Sequence, residues 1–465
     1  MSDTSIGDVS FLHPMYKKHQ NQVQIVTDMY NGSDSASSYL TQFPQELEDT
    51  FLERKNKVAL KNYVKRATEA FVGMIFRKPI DAIGYSDAVV KITKKIDTKS
   101  TINQFARRIT EKLIRDGKTY ILIDSLQDGS DPYFVSMDRS SVINWNKDSN
   151  GNFTLIVIRE AIEVRLNDFE IETVEQYRVY REDGNISIYR QQEEEFYLYE
   201  YIETDLDYIP VQELDLDDIP PLYDIARLNI KHMNRTSAKD RYLDMSACPV
   251  PVIWGADTDD EGTVNSAKPA LVIGVDEAFI FNGTKEECDF QWRELSGSSI
   301  DQLQNDLSVI EEDITSGVIR ASSSENTTMK TATQSYYEAS EASNRVTVIA
   351  NIVEYAMNAS LDIVIDMLGE TDNSGGVIIN KDYNAIAGST TDLRLLWEMY
   401  LGGSLSLATL LNSMQQFELI NIGSVEEEIK KIESETFLPK PKEVSSETIE
   451  KTDNNNLNAF DNGEE

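Results

Sequence analysis

The chain has 465 residues, with 80 acidic side chains against 44 basic ones and a formal net charge of −36. That length leaves room for two or three domains with buried cores, and the charge argues against nonspecific attraction to nucleic acid or to an anionic membrane. Only Cys248 and Cys288 occur and the histidines His13, His19 and His232 are scattered, so neither a disulfide framework nor a cysteine–histidine metal site is implied.

The opening "MSDTSIGDVSF" lacks a basic region followed by an apolar run. No continuous apolar stretch approaches ~18 residues, so neither a signal peptide nor a membrane span is expected. Apolar residues recur at helical spacing from Pro14 to Tyr30 and again from Leu47 to Phe76, where "RKPI" stops the second helix. Its first half, "ERKNKVALKNYVKR", is a basic island, read either as a solvated face or as an interaction surface. "TINQFARRITEKLIRDG" predicts an amphipathic helix with Ile102, Phe105, Ile109, Leu113 and Ile114 inward and Gly117 as its stop, followed by the strand "TYILIDS". Alternating segments follow ("YFVSM", "FTLIVIRE", "VEQYRVYRED", "NISIYR", "EEFYLYEYI"), with "EDGN" at 182–185 as a hairpin turn, and an antiparallel sheet is expected.

The acidic connector "DLDYIPVQELDLDDIPP" leads into a helix from Pro221 to about Met245, ended by "CPVP". Strand-like pieces "VPVIWG", "ALVIGV" and "EAFIFNG" predict a small β insert over about 248–297. A helix with Ser298 or Ser299 as N-cap follows, carrying Ile300, Leu303, Leu307, Ile310 and Ile314 on one stripe. After the polar run "SSSENTTMKTATQSYYEAS", Thr333 to Leu368 predicts a helix of about 54 Å. Ala339, Val346, Ile349, Val353, Met357, Val364 and Leu368 lie near one of its faces. The pieces "TDLRLLWEMYLGG" and "SLATLLNSMQQFELI" read as helical, and the tail from about Pro439 is too polar to order itself.

Motifs of chemistry fail on inspection. Gly117-Lys118-Thr119 mimics the end of a phosphate-binding loop, but Lys112 stands where the first glycine belongs, and the segment ends a helix instead of opening one. "DTDDEG" starts like a calcium loop with Asp257, Asp259, Glu261 and Gly262, yet position 12 is Lys268 and not a bidentate glutamate, so a solvated acidic turn is the better reading. No nucleophile motif or dinucleotide fingerprint occurs, no cofactor is implied, and the many carboxylates single out no acid–base pair.

What remains is an order of elements: helix, β insert, helix, polar run, long helix. With "HPMY", "ALKNYVKRATEAFVGMIFRKP", "IRDGKTYILIDS", "IPPLYDIARLNIKHMNRTSAKDRYLDMSACPVPVIWG" and "YLGGSLSLATLLNSMQQFELI…VEEEIKKIESET", the chain resembles tailed-bacteriophage portal proteins, specifically a family long filed as a domain of unknown function. The resemblance implies an α+β, ring-forming portal fold: an α/β wing over 1–220, stem helices at 221–247 and 298–318, and a clip at 248–297. It further implies a tunnel loop at 319–330, a long helix at 331–369, a C-terminal wing or crown region at 370–438 and a disordered tail at 439–465.

By the same resemblance the protein is a structural part of the virion and not an enzyme: a dodecameric channel at one capsid vertex through which double-stranded DNA is packaged and ejected. Its partners would be copies of itself, the major capsid protein, the terminase motor and then the head–tail adaptor or tail, with no membrane involved. The tunnel loop would present Arg320, Ser322, Ser323, Ser324, Thr327, Thr328 and Lys330 to DNA, small hydratable groups that touch phosphates without holding them. Asp301, Asp306, Glu312 and Asp313 of the second stem helix are the acidic candidates for the channel wall. A soluble acidic enzyme or another head–tail protein is the alternative reading. The apolar stripes of the stem and long helices are compatible with burial within a single chain, as in an ordinary monomeric helix, or with lateral cover by neighbouring copies, and the resemblance to a ring-forming family implies the second.

Overall fold

The computed structural model describes residues 8–434 apart from 45, 98, 126–130, 193–194, 248–249, 255–288, 294–297, 323–331, 371–373, 382–389, 417–419 and 421–424. The chain forms two compact units, Met1–Lys381 and Asp382–Glu465. It mixes helix and sheet, in keeping with the α+β class.

The first unit opens with helices α1 (Pro14–Asn31), α2 (Ser33–Ala36), α3 (Glu48–Lys57) and α4 (Tyr63–Ile75). The single helix expected over 47–76 is therefore two helices, and the break has a physical cause. Asn62 caps α4 by accepting a hydrogen bond from Lys65 N at 2.8 Å, while Asn229, far along the chain, accepts from Tyr63 N at 3.0 Å and donates to Lys61 O at 3.1 Å. Ser33 Oγ accepts from Leu60 N at 3.1 Å. Side chains thus satisfy the backbone groups that leaving the helix exposes.

Strand β1 (Asp81–Ile83) and helix α5 (Asp87–Lys94) precede α6 (Ile102–Asp116), which starts with a Thr101–Gln104 capping box and buries Phe105, Ile109, Leu113 and Ile114 as expected. Gly117 stops α6 with φ of 78°, and a Cβ there would lie 2.5 Å from the carbonyl oxygen of Asp217. The Gly117 carbonyl itself accepts from Leu216 N at 2.9 Å and Asp217 N at 3.2 Å, which ties the helix end to the acidic connector.

Eight strands follow: β2 (Lys118–Asp124), β3 (Tyr133–Asp138), β4 (Val142–Lys147), β5 (Phe153–Arg165), β6 (Ile171–Arg181), β7 (Ile186–Gln192), β8 (Glu195–Ile202) and β9 (Val211–Asp215). The expected antiparallel sheet is in fact two, one of order β3-β2-β9 and one of order β4-β5-β6-β7-β8. Tyr120, Leu122, Ile158, Tyr180, Ile209 and Val211 belong to one buried cluster drawn from both sheets. The 182–185 turn closes the β6–β7 hairpin with Gly184 at φ of 74°, where a Cβ would meet the Leu206 carbonyl oxygen at 2.0 Å.

The remainder of this unit comprises α7 (Tyr223–Ala247), β10 (Val250–Trp254), β11 (Asp289–Arg293), α8 (Ser298–Ser322), α9 (Ala332–Met367) and β12 (Gly376–Ile378). Strand β12 pairs antiparallel with β1, from Asp81↔Ile378 to Ile83↔Gly376, which ties the segment after α9 to the N-terminal part of the same unit. In α9, Asn344–Met367 is long and apolar enough to cross a membrane by composition, which revises the expectation that no stretch would be; half of it is buried inside the unit, as in a core helix. The second unit contains α10 (Thr390–Leu401), α11 (Leu407–Gln416) and α12 (Val425–Ser434), with Leu410 and Leu411 buried on α11. The strand-like segments at 270–275 and 277–283, the acidic turn at 257–262 and the tail from 439 lie outside the described residues.

Candidate functional site

Helices α7 and α8 run antiparallel, and their polar contacts show the register. Lys239 Nζ donates to Gln304 Oε1 at 3.1 Å, Arg235 Nε meets Asp306 at 2.8 Å, and His232 Nε2 lies 2.9 Å from Glu311 Oε1. Residue numbers fall along one helix as they rise along the other. The insert between them is stapled at its base, because β10 and β11 pair antiparallel from Val250↔Arg293 to Trp254↔Asp289. The two strands that flank the insert are thus held together at the end of the antiparallel helix pair.

The stripe on α8 is buried at Leu307, Ile310 and Ile314, and that on α9 at Val346, Ile349, Val353, Met357 and Val364. Both are covered by this chain itself, against α7, α4 and each other. Of the two readings the sequence allowed, cover within the chain accounts for these buried positions, since helical periodicity reports a buried face without saying what buries it. Toward the insert the pair is open, with no buried side chain among Ala238–Asp244 or Ser299–Asp306.

The four acidic candidates have different surroundings. Asp306 is 2.8 Å from Arg235 and 4.0 Å from Lys231 on α7, so its charge is engaged within the chain. Asp301 and Glu312 are exposed and eleven residues apart, three helical turns, which puts them on one face opposite the stripe together with exposed Asn305 and Ser308. Asp313 is exposed on a flank. That outer face of α8 is polar and carries no cation between Asp301 and Glu312.

Helix α8 continues to Ser322, four residues past the expected end at 318, so Arg320 and Ser322 stand on its last turns instead of in a loop. No proline or second glycine follows Gly317 to stop it. Ser323, Ser324, Thr327, Thr328 and Lys330 lie outside the described residues.

Sequence reasoning missed a charged junction near the middle of the pair. Glu311 of α8 meets Lys61 Nζ at 3.0 Å as well as buried His232 of α7, whose ring is edge-on to Tyr63 with centroids 5.3 Å apart. Partial burial works against the Glu311 carboxylate, but the hydrogen bonds from Lys61 and His232 outweigh it and hold the group down at about 2. No local pattern marks this trio, because its members come from three separate segments.

A cavity of about 370 Å³ next to α1, α6 and β3 is lined by Tyr16, Arg115, Asp116, Asp138, Arg139 and Arg159 among others. Burial pushes the Asp116 carboxyl up, against the pull of Arg115 at 2.6 Å. Arg115 also meets Asp138 at 2.6 Å, and Arg139 donates to the carbonyls of Asp116 and Asp218 at 2.9 and 2.8 Å. These charges neutralise one another and tie α6 to β3, a bracing network in character. Among the described residues no group of three or more His, Cys, Asp or Glu side chains is placed to hold a metal ion.

Residues 221–368, about a third of the chain, match the family described as Domain of unknown function (DUF4055). The match covers α7, the insert, α8 and nearly all of α9. No curated protein matches the chain. Among solved structures, the chain is similar to one from the neck of an empty gene transfer agent particle computed with C6 symmetry, with 11% identity and a TM-score of 0.43 over 82% of this chain and 97% of that one. One from the virion of the native gene transfer agent particle has 11% identity and a TM-score of 0.41 over the same shares. One from the neck of the native particle computed with C12 symmetry has 10% identity and a TM-score of 0.38 over 74% of this chain and 87% of that one. These likenesses are distant.

Proposed function

We propose that the chain is a portal-type ring subunit of a tailed-phage head, with α7 and α8 as stem, residues 248–297 as clip and the polar run after Ser322 as the loop facing DNA. The observation that carries this reading is the antiparallel α7–α8 pair with its stapled insert, followed by a serine- and threonine-rich run and a long buried helix. The order of these elements also agrees with the resemblance read from sequence. On this reading the exposed Asp301, Asn305, Ser308 and Glu312 face of α8 lines the channel, where carboxylates and small polar groups repel or release phosphate. Asp313 flanks that face, and Asp306 fixes the stem pair.

The protein then acts as a virion component at the portal vertex, with no catalytic step of its own. It passes double-stranded DNA through a homo-oligomeric ring, seats in the major capsid protein, and offers the clip first to the terminase and afterwards to the adaptor or tail. Twelve copies of a 52.7 kDa chain would weigh roughly 630 kDa in a closed ring. Native mass measurement and electron cryomicroscopy of the purified protein test the reading: a ring with an axial channel is expected. A monomer at micromolar concentration across low and high salt overturns it.

A further inference from the structure

Strand β8 is the last strand of the five-stranded sheet. It pairs with β7 from Ile186↔Ile202 to Gln192↔Glu195 and stands at the end of the order β4-β5-β6-β7-β8, so its outer side offers a row of backbone N–H and C=O groups. Other sheet edges are covered by the chain itself. His13 N donates to Ile143 O on β4 at 2.9 Å, Phe134 N on β3 donates to Ile96 O at 2.7 Å, and α9 packs against β9. Among the described residues no such backbone bond reaches the outer side of Glu195–Ile202.

The side chains of this edge are aromatic and in water. Tyr197, Leu198, Tyr199 and Tyr201 are each between 41% and 50% exposed, whereas Tyr177, Tyr180 and Tyr189 on β6 and β7 of the same sheet are buried. Tyrosine covers a large area at a small cost in rotamer entropy, which suits it to contact surfaces. The surroundings are acidic. No lysine or arginine occurs between Arg190 and Arg227, while Glu195 and Glu200 on the strand are followed by Glu203, Asp205 and Asp207. Arg190 itself lies over the Tyr199 ring at 3.4 Å, with Nε and Nη2 each 3.3 Å from Gln176 Oε1.

These charges select what can be added to the edge. Strand β8 of a second copy is disfavoured, because pairing would set Glu195, Glu200 and Glu203 of both chains against one another. The stretches of β5 after Ile158 and of β6 before Gln176, which β4 and β7 leave unpaired, are disfavoured as well, since Glu160, Glu163, Glu172 and Glu175 outnumber Arg159 and Arg165 there. We propose that β8 is a strand-addition site for an extended, lysine- or arginine-bearing segment of another protein. The segment continues the sheet through backbone hydrogen bonds, its cations meet the glutamates, and its apolar side chains cover Leu198 and the tyrosines. The site goes beyond the ring reading and does not depend on it.

The test uses the full chain and a fluorescein-labelled peptide that alternates lysine and valine, beside one alternating glutamate and valine and one alternating lysine and glycine. At physiological salt the lysine–valine peptide should bind and the glutamate–valine peptide should not. The lysine–glycine peptide, equally charged but a poor strand former, should bind about tenfold more weakly by fluorescence anisotropy. Leu198→Lys combined with Tyr201→Lys should weaken the lysine–valine peptide by about tenfold. Leu166→Lys combined with Ile171→Lys, the same change of charge at exposed positions on the far end of the β5–β6 hairpin, should leave it unchanged. All four positions are exposed, so folding, checked by circular dichroism, should be preserved. Hydrogen exchange gives a second readout, in which the lysine–valine peptide should slow the amides of Glu195–Ile202. Equal binding of the lysine–valine and lysine–glycine peptides reduces the effect to net charge and overturns the proposal. Binding that survives the β8 substitutions, with no slowing at 195–202, also overturns it. A loss of native oligomer mass in the Leu198→Lys, Tyr201→Lys variant alone gives the edge to a second copy and overturns the foreign partner.

Discussion

Glu311 shows how one side chain can join separate segments, receiving Lys61 from the α3–α4 break and His232 from α7 while sitting on α8. Its folded pKa of about 2 lies below the ordinary 4.5. The stabilisation it supplies is therefore complete above pH of about 4.5 and is lost as pH falls toward about 2. Because the side chain is 39% exposed, solvent screening keeps the effect small. Glu311→Gln should cost about 1 kcal/mol or less at pH 7 and much less once pH has fallen to about 2, measured as the urea midpoint of wild type and variant at both pH values. An equal gap at both would contradict the assignment. Gly117 is the opposite case, a residue whose role its sequence position announces. At φ of 78°, with the Asp217 carbonyl oxygen 2.5 Å from where a Cβ would sit, Gly117→Ala should lose about 2 kcal/mol from backbone strain, and more from the clash. A thermal midpoint unchanged within error would show that the connector can move away.

Among elements, the split of the 47–76 helix depends on an asparagine more than 160 residues away. Asn229 is fully buried, and its amide serves both Tyr63 N and Lys61 O. Asn229→Leu should cost about 2 kcal/mol by leaving a donor and an acceptor unpaired, read as a lower urea midpoint with unchanged denaturant slope. That distance explains what the sequence could and could not reveal. Helix α6 was legible because its cap, stripe and terminal glycine are contiguous, and α8 and α9 because each buries one regular face. The α3–α4 break was not, since its cause lies on another element. Strand β9 was hidden within an acidic connector, where only Val211 and Leu214 of its five residues are buried. In the candidate site the order of helices, insert and polar run was readable. The pairing of Asp306 with Arg235 was not, because a carboxylate's partner across a helix pair leaves no mark on local spacing.

At the scale of the whole molecule, the proposed ring multiplies a charge of −36 per chain around one axis. DNA affinity comes from phosphate neutralisation and counterion release, and the Asp301–Glu312 face supplies no cation for either. Purified rings should accordingly bind short duplex DNA only weakly. A steep loss of tight binding as salt rises, detected by fluorescence anisotropy, would count against an acidic channel. On the proposed reading, grip on a packaged genome comes from shape and many weak contacts, and the run from Ser323 onward is the segment proposed to supply them. Serine and threonine hydroxyls exchange a hydrogen bond to water for one to phosphate without neutralising its charge, so in the proposed ring a circle of such segments can brush a duplex without trapping it. Helix α8 keeps its buried stripe up to Ile314, and α9 keeps its own from Val346, so removal of Ser323–Thr328 leaves both packed faces untouched. Deleting those six residues should preserve folding and native mass while lowering the fraction of particles that retain a full-length genome after packaging. Variant rings that fail to assemble would assign the run to the scaffold, and variant particles that retain genomes at the wild-type level would remove it from the channel.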